Sequence, residues 1–192
     1  MEDEKLSKHP LDIFKSQLKN NEGGDHFVHT GNLVRGEVPY KGMLREKRID
    51  LFYILFLLAK YAKYSVCCSN VIKKGHDGEL DEIISDKIYE TIMEHDAYFS
   101  KFDKIIIHYD NGQDTLKGLL ISSFRNKYKN VSFVKTLQGD SAFMQIADLF
   151  SYFELLKHKI KLNNLTKSEV AFFGPARKIR KNYLEQLKDK FI

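Results

Sequence analysis

The sequence predicts an α/β protein with a small mixed or parallel sheet, and three observations carry that expectation. Residues 104–110 hold three consecutive isoleucines, Ile105, Ile106 and Ile107, the composition of a strand covered on both faces. Asn111-Gly112 turns the chain into a stripe of Leu116, Leu119, Leu120, Ser123, Phe124 and Tyr128, close to the helical period. Residues 131–137 again have strand composition. A strand, a helix and a strand with short joints predict a parallel crossover.

The remaining elements follow in order. Residues 11–18 read as a short helix ended by Asn20-Asn21-Glu22-Gly23-Gly24, a run of turn formers, and residues 1–8 as a flexible start. Residues 26–30 read as a short strand stopping at Gly31, and residues 37–40 as loop. Residues 45–61 predict an apolar helix with Ile49, Phe52, Tyr53, Phe56, Leu57 and Ala59 toward a core. Residues 64–72 have strand composition and 73–78 loop composition. Leu80, Ile83, Ile84, Ile88 and Ile92 fit one helix face. Residues 143–159 and 177–190 complete the predicted helices. With no repeat and no Pro/Ser-rich linker, a single domain over 1–192 is expected.

Composition narrows the function classes. The 192 residues are 43% hydrophobic with a net charge of +5, which excludes disorder along the whole length. The longest apolar run, residues 51–59, is nine residues between Asp50 and Lys60, about half of what a bilayer requires. Met1-Glu2-Asp3-Glu4-Lys5 lacks the order of a signal peptide. Cys67-Cys68 offers no disulfide framework and no zinc-knuckle spacing. A reduced, cytoplasmic protein without a membrane partner is expected. Charge is uneven: residues 156–192 hold ten basic and three acidic groups, while the preceding 155 residues are close to neutral. Such a basic end suits a nucleic-acid backbone, and equally a solvated helix face.

Three places can carry chemistry. Asp110 falls at the carboxyl end of a predicted strand, where α/β sheets bind ligands, followed by Gly112 and Gln113; it serves equally as a helix cap. Gln145 and Asp148 share one face of a mostly apolar helix. A buried carboxylate needs partners, whether a metal with Asp110, an arginine or backbone amides. His29, Arg35 and Glu37 lie within the nine residues 29–37. Phosphate-loop, dinucleotide and nucleophile-elbow motifs are missing from the sequence.

Four segments in order, His29-Thr30-Gly31 through Arg35-Gly36-Glu37, Tyr109-Asp110-Asn111-Gly112-Gln113, Gln145-Ile146-Ala147-Asp148-Leu149, and Ser168-Glu169 with Phe172-Phe173, Arg177 and Lys181-Asn182-Tyr183-Leu184, resemble a bacterial and phage family labelled a domain of unknown function. The resemblance covers roughly residue 25 to the C-terminus. It implies a ribonuclease H-like fold of about four strands flanked by helices. It further implies a metal-dependent nuclease or related phosphoryl-transfer protein, with Asp110 and Asp148 holding Mg²⁺ or Mn²⁺. Glu37 would be a third acidic group, and His29, Arg35, Gln113 and Gln145 would contact substrate. The family's opening strand with Asp-Glu-Ser-Gly has no counterpart here. The N-terminal hairpin is therefore expected to be missing, metal binding weak and activity in doubt. The alternative is a non-catalytic nucleic-acid-binding or protein-interaction module. The shortened sheet also invites self-association or a covering partner.

Overall fold

A computed structural model describes residues 2–20, 27–71, 80–109, 114–136 and 141–192. Among these the chain is predominantly helical, with one two-stranded parallel sheet. The expected ribonuclease H-like sheet of about four strands is not formed, and the fold expectation is corrected accordingly. Two compact units can be delineated: residues 1–66 with 141–191, and residues 67–140 with Ile192.

The first unit is an assembly of helices. Its members are α1 (Glu2–Asn20), α2 (Thr30–Arg35), α3 (Arg45–Tyr61), α7 (Ala142–Lys161), α8 (Lys167–Phe173) and α9 (Ala176–Ile179). After α9 the chain continues helically but changes pitch. Arg180–Leu184 winds as a π-helix and Glu185–Lys190 as a 3₁₀-helix. One α-helix over 177–190 is thus replaced by three windings.

Helix α3 has the predicted bounds, yet its core face is broader than the period suggests. Leu51, Ile54, Leu55 and Leu58 are buried along with Phe52, Phe56 and Ala59, whereas Tyr53 is 50% exposed. An apolar stripe this wide fits a helix flanked by neighbours on several sides. α1 packs on α3 through Phe14 and Leu18. Phe52 is the hub: its ring lies 5.1 Å from that of Phe173, 5.5 Å from Tyr183 and 5.7 Å from Phe172, each nearly edge-on. Edge-to-face pairs add stabilisation beyond the buried area.

Two predicted strands, residues 26–30 in this unit and residues 64–72 across the boundary between the units, join no sheet among the described residues. Residues 27–29 form neither helix nor strand, and His29, extended at φ −93° and ψ 104°, leads directly into α2. Residues 64–71 contribute only an isolated bridge from Val66 to Phe191, with the Val66 amide donating to the Lys190 carbonyl at 2.7 Å. Extended backbone needs partners for its polar groups, and here side chains and the chain's end supply them.

The second unit contains α4 (Leu80–Glu94), α5 (Asp96–Phe99), β1 (Ile105–Tyr109), α6 (Asp114–Lys127) and β2 (Val131–Lys135). The predicted strand–helix–strand unit is present. β1 and β2 pair in parallel, Ile105 opposite Val131 through Tyr109 opposite Lys135, while α4 packs against α6. The isoleucine run is not covered on both faces, because burial alternates and Ile106 stays 48% exposed. The predicted break at 20–24 falls largely, and the loop at 73–78 wholly, outside the described residues.

Glu169 anchors the start of α8. Its carboxylate accepts from the Thr166 amide at 2.7 Å, while its own amide donates to Thr166 Oγ1, a reciprocal capping box. Lys159 Nζ donates to the same carboxylate at 2.6 Å. Burial pushes the Glu169 carboxyl up, but Lys159 and Thr166 outweigh it and hold the group below the usual carboxylate range. A depressed carboxylate stabilises the folded state above its unfolded pKa, and this contribution disappears as pH falls through the folded value. Glu169→Gln is expected to cost about 2 kcal/mol at neutral pH. Urea melts repeated down to pH 3 should show the gap to wild type closing; a gap constant with pH would contradict the assignment.

Candidate functional site

The site is built around α2, a helix of six residues, too short to persist alone. Side chains from two longer helices hold its ends. At the N-terminus the Thr30 amide donates to Asp148 Oδ2 on α7 at 2.8 Å. At the C-terminus Arg48 of α3 donates from one nitrogen to the Leu33 and Val34 carbonyls, at 2.6 and 3.0 Å. An anion at the positive end and a cation at the negative end both match the helix dipole. Gly36 ends the helix in the left-handed region, φ 70°. A Cβ there would approach the Arg48 guanidinium to 3.1 Å.

The extended residues before α2 are satisfied from two sides. Gln145 Oε1 on α7 accepts from the Val28 amide at 2.9 Å, one residue pair away from the Thr30–Asp148 bond. On the other side the Tyr40 hydroxyl accepts from the His29 amide at 3.0 Å and donates to the Phe27 carbonyl at 3.1 Å. Tyr40 is almost wholly buried. Burial raises its phenol, the His29 amide opposes that, and the Asp148 charge adds to the rise. Of the partner sets considered for Gln145 and Asp148, the structure supplies backbone amides.

His29 meets Asp148 a second time. Its Nδ1 lies 3.4 Å from Oδ1, within ion-pair range but not aligned as a hydrogen bond. That nitrogen is buried and has no hydrogen-bond partner among the described residues, as is also true of Thr30 Oγ1. The rest of the imidazole is accessible, the side chain being 38% exposed against 25% for Asp148. The pair therefore combines a carboxylate with spare lone pairs and a buried, unpartnered nitrogen of an imidazole whose remaining atoms reach the surface.

Arg35 and Glu37 lie at the other end of α2. Arg35 Nε pairs with Glu37 Oε2 at 2.8 Å, both exposed, and Arg35 also donates to Asn32 Oδ1 at 3.0 Å. The Arg35 guanidinium folds back along α2, so that a Cβ on Gly31 would lie 3.2 Å from it. The structure thus brings His29, Gln145 and Asp148 together, while Arg35 and Glu37 pair with each other along α2. Asp110 and Gln113 lie outside the described residues. Among the described residues no group of three or more His, Cys, Asp or Glu side chains is positioned to hold a metal ion, and no helix is long and apolar enough to cross a membrane.

Sequence reasoning passed over Tyr40 and Arg48. Tyr40 follows Pro39 in a loop, where aromatic residues are commonly exposed. Arg48 sits in the charged first turn of α3, Arg45-Glu46-Lys47-Arg48, and resembles a solvated face. Neither carries a local signal, because both act on residues ten or more positions away.

Asp148→Ala removes the acceptor of an amide in a fully buried residue, and is expected to cost about 1–3 kcal/mol. Asp148→Asn, which retains an acceptor oxygen, should cost less. Urea denaturation of the two variants tests this; equal losses would mean that the Thr30 bond contributes nothing. Comparison with protein-family models, with curated proteins and with solved structures gives no match.

Proposed function

We propose that the chain acts on nucleic acid as a metal-assisted phosphodiester hydrolase, with His29 and Asp148 forming one part of the reacting centre. The observation behind this reading is the His29 Nδ1–Asp148 Oδ1 approach of 3.4 Å, with the nitrogen unpartnered. His29 and Asp148 would supply two ligands of a divalent ion, the rest of its coordination falling to water and substrate oxygens. Carboxylate oxygen suits Mg²⁺ and Mn²⁺ alike, while imidazole shifts the preference toward Mn²⁺. Such an ion would acidify a bound water and polarise a phosphoryl oxygen. The chain's own contribution is orientation: Thr30 fixes one oxygen of Asp148, and the Tyr40-held backbone fixes the position of His29.

The alternative is a non-catalytic nucleic-acid-binding module. It is favoured by one observation, that Asp148 already serves as the anchor of α2. Divalent ions separate the two readings. Mn²⁺ added at about tenfold over its Kd should raise the melting temperature by a few degrees. His29→Ala should abolish that rise without melting the fold, since the His29 side chain makes no hydrogen bond among the described residues. Labelled RNA or DNA should be cleaved in Mn²⁺, and cleavage should fail in His29→Ala. No Mn²⁺-dependent rise and no cleavage would leave the binding module.

A further inference from the structure

The C-terminal basic segment does not behave as a uniform charged face. Lys159 is held by Glu169, Lys157 by Glu154, and Lys190 by the Ala62 carbonyl. Arg177, Lys178, Arg180 and Lys181 are instead exposed, and no carboxylate among the described residues lies within ion-pair distance of them. They occupy two successive helical windings, and the second is π-helical, a form rare in proteins and frequent at functional sites.

The turn is rigidly seated. Ile179 is fully buried, and the Tyr183 ring packs 5.3 Å from both Phe56 and Phe173. The cations therefore project from a backbone fixed in the core. Tyr53 on α3 packs against the same Phe56, at 6.1 Å, yet remains 50% exposed. Its proximity to Tyr183 is felt electrostatically: burial raises the Tyr183 phenol, and Tyr53 adds to the rise. An accessible aromatic ring thus lies beside a turn carrying four unpaired cations. The nearby carboxylates of Asp50, one turn before Tyr53, and Glu185, just past the turn, are also exposed.

We infer that this surface binds single-stranded nucleic acid, one base stacking on Tyr53 while the phosphates follow Arg177, Lys178, Arg180 and Lys181. Charge complementarity requires a polyanion, and the exposed ring selects a strand whose base faces are open, because a duplex hides them. Asp50 on α3 repels phosphate and so favours bases toward α3 and backbone toward the basic turn, while Glu185 ends the basic track just past the turn. This deepens the proposed function by naming the strand state of the substrate, but binding here does not require the His29–Asp148 centre to react.

The test is fluorescence anisotropy of the full chain with labelled 12-nucleotide RNA and DNA strands, in EDTA so that no cleavage can occur. Affinity should fall with salt, and Arg180→Ala/Lys181→Ala should flatten the log–log slope by about 1.4, two phosphate contacts on a single strand. Tyr53→Ala should weaken binding roughly tenfold and Tyr53→Phe hardly at all. Binding to the matching duplex should be weaker and indifferent to Tyr53. Unchanged affinity in Tyr53→Ala overturns the stacking role. Equal duplex binding, or preference for phosphatidylserine vesicles over oligonucleotides, overturns the single-strand assignment. Because Tyr53 is exposed, its variants should melt with wild type; if they do not, the Arg180/Lys181 slope alone decides. Binding without cleavage in Mn²⁺ would leave this inference standing and remove the hydrolase reading.

Discussion

The arrangement depends on the clamping of α2 between oppositely charged side chains. A six-residue helix gains too few internal hydrogen bonds to offset its nucleation cost. Asp148 and Arg48 supply what is missing, each bonding backbone groups that a helix leaves open at its ends. Each also sits where the helix dipole favours its charge. Because Asp148 comes from α7 and Arg48 from α3, the clamp ties three elements of one unit together. Every candidate group in residues 29–37 inherits its position from it.

The clamp rests in turn on an aromatic core. α3 and α7 must be held in register for their side chains to reach opposite ends of α2. Phe52 and Phe56 on α3 meet Phe153 on α7 at 6.3 and 6.4 Å, and Tyr183 closes the same cluster. Phe172 and Phe173 pack on Phe52 in the same cluster. Those residues lock the end of the chain onto α3, and the lock presents the basic turn on a fixed backbone.

The long amphipathic helices and the β1–α6–β2 unit were legible because their signals are local. Apolar spacing within α3, α4 and α7, and the Ile105–Ile107 run, need no knowledge of distant residues. What could not be read depends on partners far along the chain. Residues 26–30 and 64–72 have strand composition, but composition does not say whether a neighbouring strand exists to complete a ladder. Ile106 and Ile107 are identical in sequence, yet one faces outward, a distinction set by what the second unit leaves uncovered. In the candidate site, the pairing of Gln145 with Asp148 on one face was legible from spacing. That their partners are the amides of Val28 and Thr30, more than a hundred residues earlier, was not.

Strand composition without a sheet has a geometric explanation at residues 27–30. In extended backbone, alternate residues direct their polar groups to the same side. Phe27 and His29 turn toward Tyr40, whose single hydroxyl serves both the carbonyl of one and the amide of the other. Val28 and Thr30 turn toward α7, two residues apart and so about 6.6 Å along the chain. Gln145 and Asp148 are three residues apart on a helix, about 4.5 Å along its axis. The mismatch of about 2 Å is small enough for two side chains of different length to absorb, the longer glutamine reaching one amide and the shorter aspartate the other. A helix face can thus stand in for a β-strand edge over one pair of amides, but not over many, since the error grows with each repeat. It fits the passage from extended backbone at His29 to helix at Thr30. It also accounts for a carboxylate brought to the surface beside His29 instead of being lost in the core.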